Sequence, residues 1–276
     1  MSMPRTWIRA GIAASLVVTS SFIPVRVYAQ DGYTSPRNAD VDASGARVIQ
    51  IEAHAGGLRV EGRAGLSEVR IRGTARASAR DMLDDIKLIA ERRGNAVFIK
   101  ADIPEDRSVR NWVNGNGHYR GLDLVIEVPM AISLDVGDGS GEASFVNVGA
   151  LELSDGSGEI EIRGARGDVS VNDGSGTIDI DGVQGNLKIH DGSGEIRARN
   201  VTGDVIVDTD GSGSINVSGV GGTMRVGNDG SGNIDVDRVA GNFVVDSDGG
   251  GSIRYATVKG SVDIPDQKRD RRSRGR

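Results

Sequence analysis

Residues 155–172 read D-G-S-G-E-I-E-I-R-G-A-R-G-D-V-S-V-N, and this stretch decides the fold. It divides into two halves of nine residues, each with Gly in fourth place and apolar residues in sixth and eighth place. Apolar residues at every second position predict a β-strand with one buried face. The stretch therefore predicts one coil of chain, made of two short strands joined by corners that contain glycine.

The motif that opens this coil recurs at a nearly constant interval. Asp-Gly-Ser-Gly, or a variant that differs at one position, begins at Asp138, Asp155, Asp173, Asp191, Asp210, Asp229 and Asp248. The steps between successive copies are 17, 18, 18, 19, 19 and 19 residues. Such a regular repeat predicts coils that stack on one another. We therefore expect an all-β fold, a right-handed parallel β-solenoid (a β-helix) with about seven regular coils.

Aligning the coils places similar aliphatic side chains above one another in columns. One first-strand column consists of Ile160, Ile178, Ile196, Ile215, Ile234 and Ile253. The next consists of Ile162, Ile180, Ala198, Val217, Val236 and Tyr255. Stacked strands lie about 4.7–4.9 Å apart, so the side chains of one column should be in contact. These columns predict the core of the solenoid.

The chain before the repeats follows the pattern only in places. Residues 46–137 predict a degenerate first part of the solenoid that carries a cap or insertions. Within it we expect a short helix at residues 77–85 and a hairpin formed by residues 87–90 and 96–99. An open stack exposes strand edges, and these two elements would cover its N-terminal end.

The remaining segments are predicted from their polarity. Residues 30–45 should be a flexible leader, residues 138–265 the regular repeats, and residues 266–276 a basic disordered tail. Proline cannot donate a hydrogen bond to a further strand, so Pro265 and the charged tail should prevent pairing at the C-terminal end.

The first 29 residues have the features of a secretory signal peptide. Arg5 and Arg9 precede an apolar stretch at residues 10–23, and Val27-Tyr28-Ala29 supplies small residues for cleavage before Gln30. The alternative is an uncleaved membrane anchor, although the apolar stretch is short for a span of about 20 residues. We expect an exported bacterial protein, periplasmic or at the cell surface, with no stable membrane span in the mature chain.

Composition and charge exclude some functions. The chain has no cysteine, so disulfides cannot stabilise it. Its formal net charge is −6, which becomes −9 without the three arginines of the signal segment. The basic tail contributes +4, so the body carries about −13. A body this acidic argues against binding to nucleic acid.

The column of motif aspartates is the sharpest chemical feature of the sequence. It consists of Asp155, Asp173, Asp191, Asp210, Asp229 and Asp248. Like charges stacked at strand spacing repel one another, and calcium between the coils would relieve that repulsion. In the alternative reading, each aspartate accepts a hydrogen bond within its own turn and points into solvent. No other metal or cofactor is predicted.

The segment 104–121 is a long excursion from the regular pattern, and long loops in regular scaffolds are often functional. Trp112, His118 and Tyr119 are its candidates for contact with a partner. The alternative is that Trp112 plugs an end of the core.

No catalytic constellation is visible in the sequence. His54, His118 and His190 are dispersed, and no serine has the G-x-S-x-G context of a nucleophile. Some β-helical proteins are polysaccharide lyases or hydrolases, but coils of 18–19 residues with minimal corners leave little room for a substrate groove.

The Gly-rich motifs, together with Val125-Ile126-Glu127-Val128-Pro129, resemble the bacterial "putative adhesin" family of exported β-strand-repeat proteins. The resemblance covers residues 45–265. It implies a β-solenoid in the cell envelope or at the surface, with no catalytic residues. We therefore predict a non-enzymatic exported protein with an adhesin-like binding or scaffolding role, whose envelope partner, a protein or polysaccharide, is unknown. The alternative is a carbohydrate-active enzyme, a polysaccharide lyase or hydrolase.

Overall fold

Parallel β-strands dominate the computed structural model of this chain, which describes residues 32–104 and 119–265. The strands before the regular repeats are β1 (Tyr33–Asp42), β2 (Val48–Ala55), β3 (Leu58–Arg63), β4 (Glu68–Ala77), β5 (Lys87–Arg93), β6 (Ala96–Asp102), β7 (Arg120–Pro129) and β8 (Ser133–Val146). A 3-10 helix, Arg80–Asp85, lies between β4 and β5. Among the described residues, no helix is long and apolar enough to cross a membrane.

The repeats supply thirteen further strands. They are β9 (Leu151–Asp155), β10 (Gly158–Ala165), β11 (Val169–Asp173), β12 (Gly176–Val183), β13 (Leu187–Asp191), β14 (Gly194–Val201), β15 (Val205–Asp210), β16 (Gly213–Val220), β17 (Met224–Asp229), β18 (Ile234–Val239), β19 (Phe243–Asp248), β20 (Ile253–Val258) and β21 (Val262–Asp263). Each even strand pairs in parallel with the next even strand, and each odd strand with the next odd one. The coils therefore build two sheets. From β9 onwards, the even strands form sheet A and the odd strands form sheet B. The predicted parallel β-solenoid is confirmed.

The predicted core columns are also confirmed. Ile178 pairs with Ile160 on one side and Ile196 on the other, and the same register continues through Ile215 and Ile234. All five side chains are fully buried. Stacked β-branched side chains fill a pleated surface well, and fully burying one contributes about 1.5–3 kcal/mol. One apolar layer between the two sheets thus runs through the repeats.

The corner before each sheet A strand requires glycine. Gly176, Gly194 and Gly213 have φ values of +146°, +149° and +148°. A Cβ on Gly213 would lie 1.5 Å from the carbonyl oxygen of Gly194 in the coil below. Both the positive φ and the close backbone stacking exclude larger residues, which explains why Gly recurs at this position.

The extra residue in the later coils is accommodated by a bulge in sheet B. Ile189 pairs with Val207, but His190 pairs with Thr209, so Asp208 has no partner in the ladder. A bulge absorbs one residue without changing which side chains face inward afterwards. The core register therefore survives the change from 18 to 19 residues per coil.

The N-terminal part differs from the sequence expectation at two places. The flexible leader predicted at 30–45 is wrong for β1, which pairs antiparallel with β4 along its ten residues. Its sequence is polar because it lies at the sheet edge, so it gave no strand signal. The helix expected at 77–85 is the shorter 3-10 helix, since β4 continues to Ala77. The expected hairpin is confirmed as β5 paired with β6.

The two ends of the stack are built differently. At the N-terminal end, sheet A continues through β3, β7, β4 and β1, and sheet B through β2, β6 and β5. Arg37 of β1 crosses this end and donates hydrogen bonds to the carbonyl oxygens of Leu83 (2.7 Å) and Ile86 (2.8 Å). At the C-terminal end, β20 and β21 are the last described strands, and Tyr255 is 49% exposed.

Candidate functional sites: an outer groove and a buried aspartate ladder

The outer face of sheet A carries rows of charged and polar side chains. One row consists of Glu161, Asp179, Arg197, Asn216, Asp235 and Arg254, in the register expected from the repeat. Asp179 accepts from Arg163 at 3.0 Å and pairs with Arg199 at 3.3 Å. Each exposed ion pair stabilises little by itself, but the network fixes the orientation of the side chains.

A shallow groove of about 440 Å³ lies on this face towards the C-terminal end. Its lining includes Arg197, Arg199, Asn216, Asp235, Arg254 and Tyr255. Tyr255 occupies the core column above Val236, as the alignment predicts, but it is half exposed because no described coil covers it. Its ring contacts that of Phe243 at a centroid distance of 5.9 Å. The groove therefore combines charged groups with an amide, while the Tyr255 ring lies on the inner face of β20 against Phe243.

The loop candidates for a partner contact remain predictions. Trp112 and His118 lie outside the described residues. Tyr119 is 36% exposed, and its backbone N–H donates to Ser78 Oγ at 3.3 Å beside the end of β4. This places Tyr119 near the closed N-terminal end, far along the chain from the groove lined by Tyr255.

The described residues contain no arrangement that resembles a catalytic centre. Glu161 accepts hydrogen bonds from Arg163 and from the hydroxyl of Ser144, and His190 is exposed. Within residues 32–104 and 119–265, no three His, Asp or Glu side chains are grouped so as to hold a metal ion. The calcium site considered for the motif aspartates stays a prediction.

The aspartate ladder is buried, and the expectation that these side chains point into solvent is wrong. Asp173, Asp191, Asp210 and Asp229 are at most 2% exposed. In-register pairing extends the ladder in both directions, from Asp138, Asp155, Asp173, Asp191, Asp210 and Asp229 to Asp248. The cause is strand periodicity. Asp138 lies within β8, each later aspartate ends a sheet B strand, and all take an inward position because the alternation is preserved or is restored by the bulge.

The predicted turn role of these aspartates is confirmed where the contacts are explicit. Ser175 donates its N–H to Asp173 Oδ1 at 3.2 Å, and Ser193 donates to Asp191 Oδ1 at 3.1 Å. The second oxygen of both carboxyls is buried without a hydrogen-bond partner. The turn therefore satisfies only part of the hydrogen-bonding capacity of each carboxyl.

Burial raises the pKa values of the ladder aspartates. Loss of hydration raises the pKa of Asp138, Asp173 and Asp229 to about 6. The same effect, together with the charges of Asp191 and Asp229, raises the pKa of Asp210 to about 7. Burial disfavours the charged form of a carboxyl, and a neighbouring carboxylate adds to this effect.

A second ladder, at the opposite corner, was not foreseen from the sequence. The side-chain oxygen of Asp168 accepts the N–H of Asn186 at 2.7 Å, and that of Asn186 accepts the N–H of Asp204 at 3.0 Å. Asp204 then accepts the N–H of Thr223 at 2.7 Å, and Asn242 accepts that of Ser261 at 2.9 Å. The sequence signal is a short polar residue directly before each sheet B strand. These bonds join successive coils and hold them in register.

Comparison with known proteins gives structural likenesses only. No protein-family profile and no curated protein matches the sequence significantly. A "putative cell adhesion protein" from Clostridium sporogenes is 13% identical over 84% of this chain and 98% of its own, with a TM-score of 0.38.

Two proteins of Parabacteroides distasonis are similar in the same way. A "putative lipid binding protein" is 15% identical over 83% of this chain and 94% of its own, with a TM-score of 0.45. A "putative adhesin" is 11% identical over 85% of this chain and 98% of its own, with a TM-score of 0.36.

Proposed function

We propose that this protein is an exported, non-enzymatic β-solenoid that binds a partner in the bacterial envelope through the outer face of sheet A. The observation that carries the proposal is the groove near the C-terminal end, where Arg197, Asn216, Asp235 and Arg254 stand in register on the outer face. A rigid sheet holds these groups at a fixed spacing, so little conformational entropy is lost on binding.

The chemistry of the groove suits an extended polar partner. Guanidinium, amide and carboxylate groups can hydrogen-bond to hydroxyls or to a peptide backbone. An envelope polysaccharide or an extended protein segment would meet this pattern. The shallow shape favours binding over catalysis, because a catalytic site normally excludes water from the reacting atoms.

Binding to isolated envelope material tests the proposal. Purified protein would be mixed with cell-wall polysaccharide and with membrane fractions, and the bound share measured for wild type, Arg254→Glu and Asn216→Ala. We expect both groove variants to bind several-fold less. Arg225→Glu is the matched control, because Arg225 is an exposed residue of sheet B with an ion pair to Asp246 at 2.6 Å. An equal loss of binding in Arg225→Glu, or no binding by wild type, would show that the groove is not the binding site.

The exported location is tested separately. Expression in a bacterial host with and without residues 1–29, followed by fractionation, should place the full chain outside the cytoplasm and the shortened chain inside it. Mass measurement of the exported form should give a chain that begins at Gln30. An enzymatic role would be revealed by the release of reducing sugars or unsaturated products from envelope polysaccharides, which we do not expect.

A further inference from the structure

Seven aspartates in register follow one inner corner of the solenoid, from Asp138 to Asp248. The first six are buried, with exposures of 8% or less. Buried carboxyls in folded proteins normally have their oxygens hydrogen-bonded or paired with a cation. This ladder departs from that rule along most of its length.

Each of the six buried aspartates has at least one side-chain oxygen that is inaccessible to solvent and lacks a hydrogen-bond partner. In Asp155, Asp210 and Asp229 this holds for both oxygens. Neighbouring strands lie about 4.7–4.9 Å apart, so aspartates in register stack at about that spacing. The unsatisfied oxygens of successive coils therefore share one buried column.

Protonation is the change that lets such neighbours satisfy one another. Two ionised carboxylates offer only acceptors and repel, whereas a protonated carboxyl has an O–H that can donate to the oxygen of its neighbour. Sharing of this kind uses the unpartnered oxygens and removes charge from the core. It needs no group other than the aspartates themselves.

We propose that the aspartate ladder is a proton-binding site of the fold, in which carboxyls of successive coils share protons, and that the solenoid is consequently more stable in mildly acidic than in neutral or alkaline solution. The ligand is the proton, and its uptake is distributed over several coils. This inference concerns the interior of the molecule and does not depend on what the outer groove binds.

Few charged groups other than the ladder itself act on its members. Asp155 and Asp191 act on Asp173, Asp191 and Asp229 act on Asp210, and Asp248 acts on Asp229. Among the described residues, the one basic neighbour is the exposed His190, whose charge lowers the pKa of Asp191. Backbone N–H groups of the turns, such as that of Ser175 at Asp173, also favour the ionised form, but burial outweighs them and the pKa remains raised.

The direction of the pH dependence follows from the raised pKa values. In the unfolded chain an aspartate has a pKa of about 3.9, whereas Asp173 and Asp210 in the folded state have pKa values of about 6 and about 7. Folding therefore takes up protons between about pH 4 and pH 7. The contribution of the ladder is fully present below the unfolded pKa and is lost as the pH rises through the folded pKa.

Urea unfolding between pH 5 and pH 8.5, in buffer with EDTA, tests the proposal with three proteins. These are wild type, Asp210→Asn, and Asp208→Asn as the matched control from the same strand. Asp208 is exposed and pairs with Lys188 on the surface, so its replacement leaves the ladder intact. Asparagine at position 210 has nearly the shape of aspartate, carries no charge, and can donate to both neighbouring carboxyls.

We expect the unfolding constant of wild type to rise at least about tenfold, the equivalent of one pKa unit, from pH 5 to pH 8.5. Asp210→Asn should show a smaller rise and should unfold at higher urea than wild type at pH 8.5. Asp208→Asn should follow wild type. A wild-type urea midpoint that is independent of pH would overturn the proposal, even if one variant folds poorly. The same pH dependence of the urea midpoint in Asp210→Asn and Asp208→Asn would also overturn it.

A calcium arm separates the proton from a cation as the ligand of the ladder. The same titration would be run with millimolar calcium in place of EDTA. If protons occupy the ladder, calcium leaves the midpoints unchanged at both pH values. A calcium-dependent rise of the wild-type midpoint at pH 8.5 that is absent from Asp210→Asn would show a cation site and contradict the proton-binding account.

Discussion

The two ends of the solenoid solve the problem of an exposed strand edge in different ways. At the N-terminal end, β1 and β5 add antiparallel edge strands, and Arg37 ties them to the 3-10 helix. At the C-terminal end, β20 and β21 leave Ile253, Val258 and Val262 only partly buried. A closed end fixes where the stack begins, whereas an open end allows the last coils to loosen without disturbing those beneath them.

The largest effect on folding is expected from deleting the N-terminal edge strand, compared with deleting the last coil. Deletion of residues 32–45 removes β1, exposes the edge of β4 and uncovers Val69 and Ile71, which are fully buried. We expect this protein to aggregate or to lose cooperative unfolding. Deletion of residues 252–276 leaves β18 and β19 as a new end of the same kind, so it should remain folded. Circular dichroism and size-exclusion chromatography compare the two, and equal tolerance of both deletions would refute the proposed asymmetry.

Two glycines with the same backbone geometry allow an interior coil to be compared with the last coil. Gly213 and Gly251 have φ values of +148° and +142°, and a Cβ on either would lie 1.4–1.5 Å from a carbonyl oxygen of the preceding coil. Gly213→Ala should destabilise the protein by about 2–6 kcal/mol, because both neighbouring coils are fixed. Gly251→Ala should cost much less, because the last coil can move away. Urea denaturation measures both, and similar losses would mean that the C-terminal coil is as constrained as the interior.

Replacement of Arg37 tests the closed end at a single side chain. Arg37→Ala removes the side-chain donor to the carbonyl oxygen of Ile86 and one of the two donors to that of Leu83, which keeps the N–H of Ile86. The change should cost about 1–3 kcal/mol. Arg59→Ala is the control, because Arg59 is an exposed arginine of β3 that faces solvent. Thermal unfolding of the two variants should differ by several degrees. An unchanged Arg37→Ala midpoint would show that strand pairing alone closes this end.

The smallest effect is expected at the open end. Tyr255→Ala removes the ring contact with Phe243, and an aromatic pair of this kind contributes about 0.5–1.5 kcal/mol. Because Tyr255 is half exposed, the burial lost is small. Differential scanning calorimetry should detect a shift of a few degrees or less. A loss comparable to that of Gly213→Ala would mean that Tyr255 belongs to the core in solution.

The difference between the ends also explains what the sequence could predict. The repeats were read correctly because the period and the alternation act together at every coil, as in the column from Ile160 to Ile253. β1 was missed because an edge strand such as Tyr33–Asp42 buries little and so keeps a polar sequence. Hydrophobic alternation arises where one face of a strand is buried, so a strand that buries few side chains has no clear alternation in its sequence.

The chemistry of the site was harder to predict than the fold. The aspartate column was visible, but its orientation was not, because Asx turns are usually exposed and the motif alone does not say which way the strand end faces. The inward position of Asp173 depends on its alternation with Val169 and Val171 in the same strand. Extending the period-two pattern of β11 by one step would have placed the carboxyl inside. The groove combines residues from several coils, and only stacking places Asn216 between Arg197 and Asp235.

Amide hydrogen exchange, resolved coil by coil with mass spectrometry, would compare the stability of the two ends in one experiment. We expect slow exchange in β4, β7 and the interior strands from β10 to β16, with protection falling through β18 to β20. Exchange that begins at the N-terminal strands, or protection that is uniform through β20, would contradict a stack that is closed at one end and open at the other.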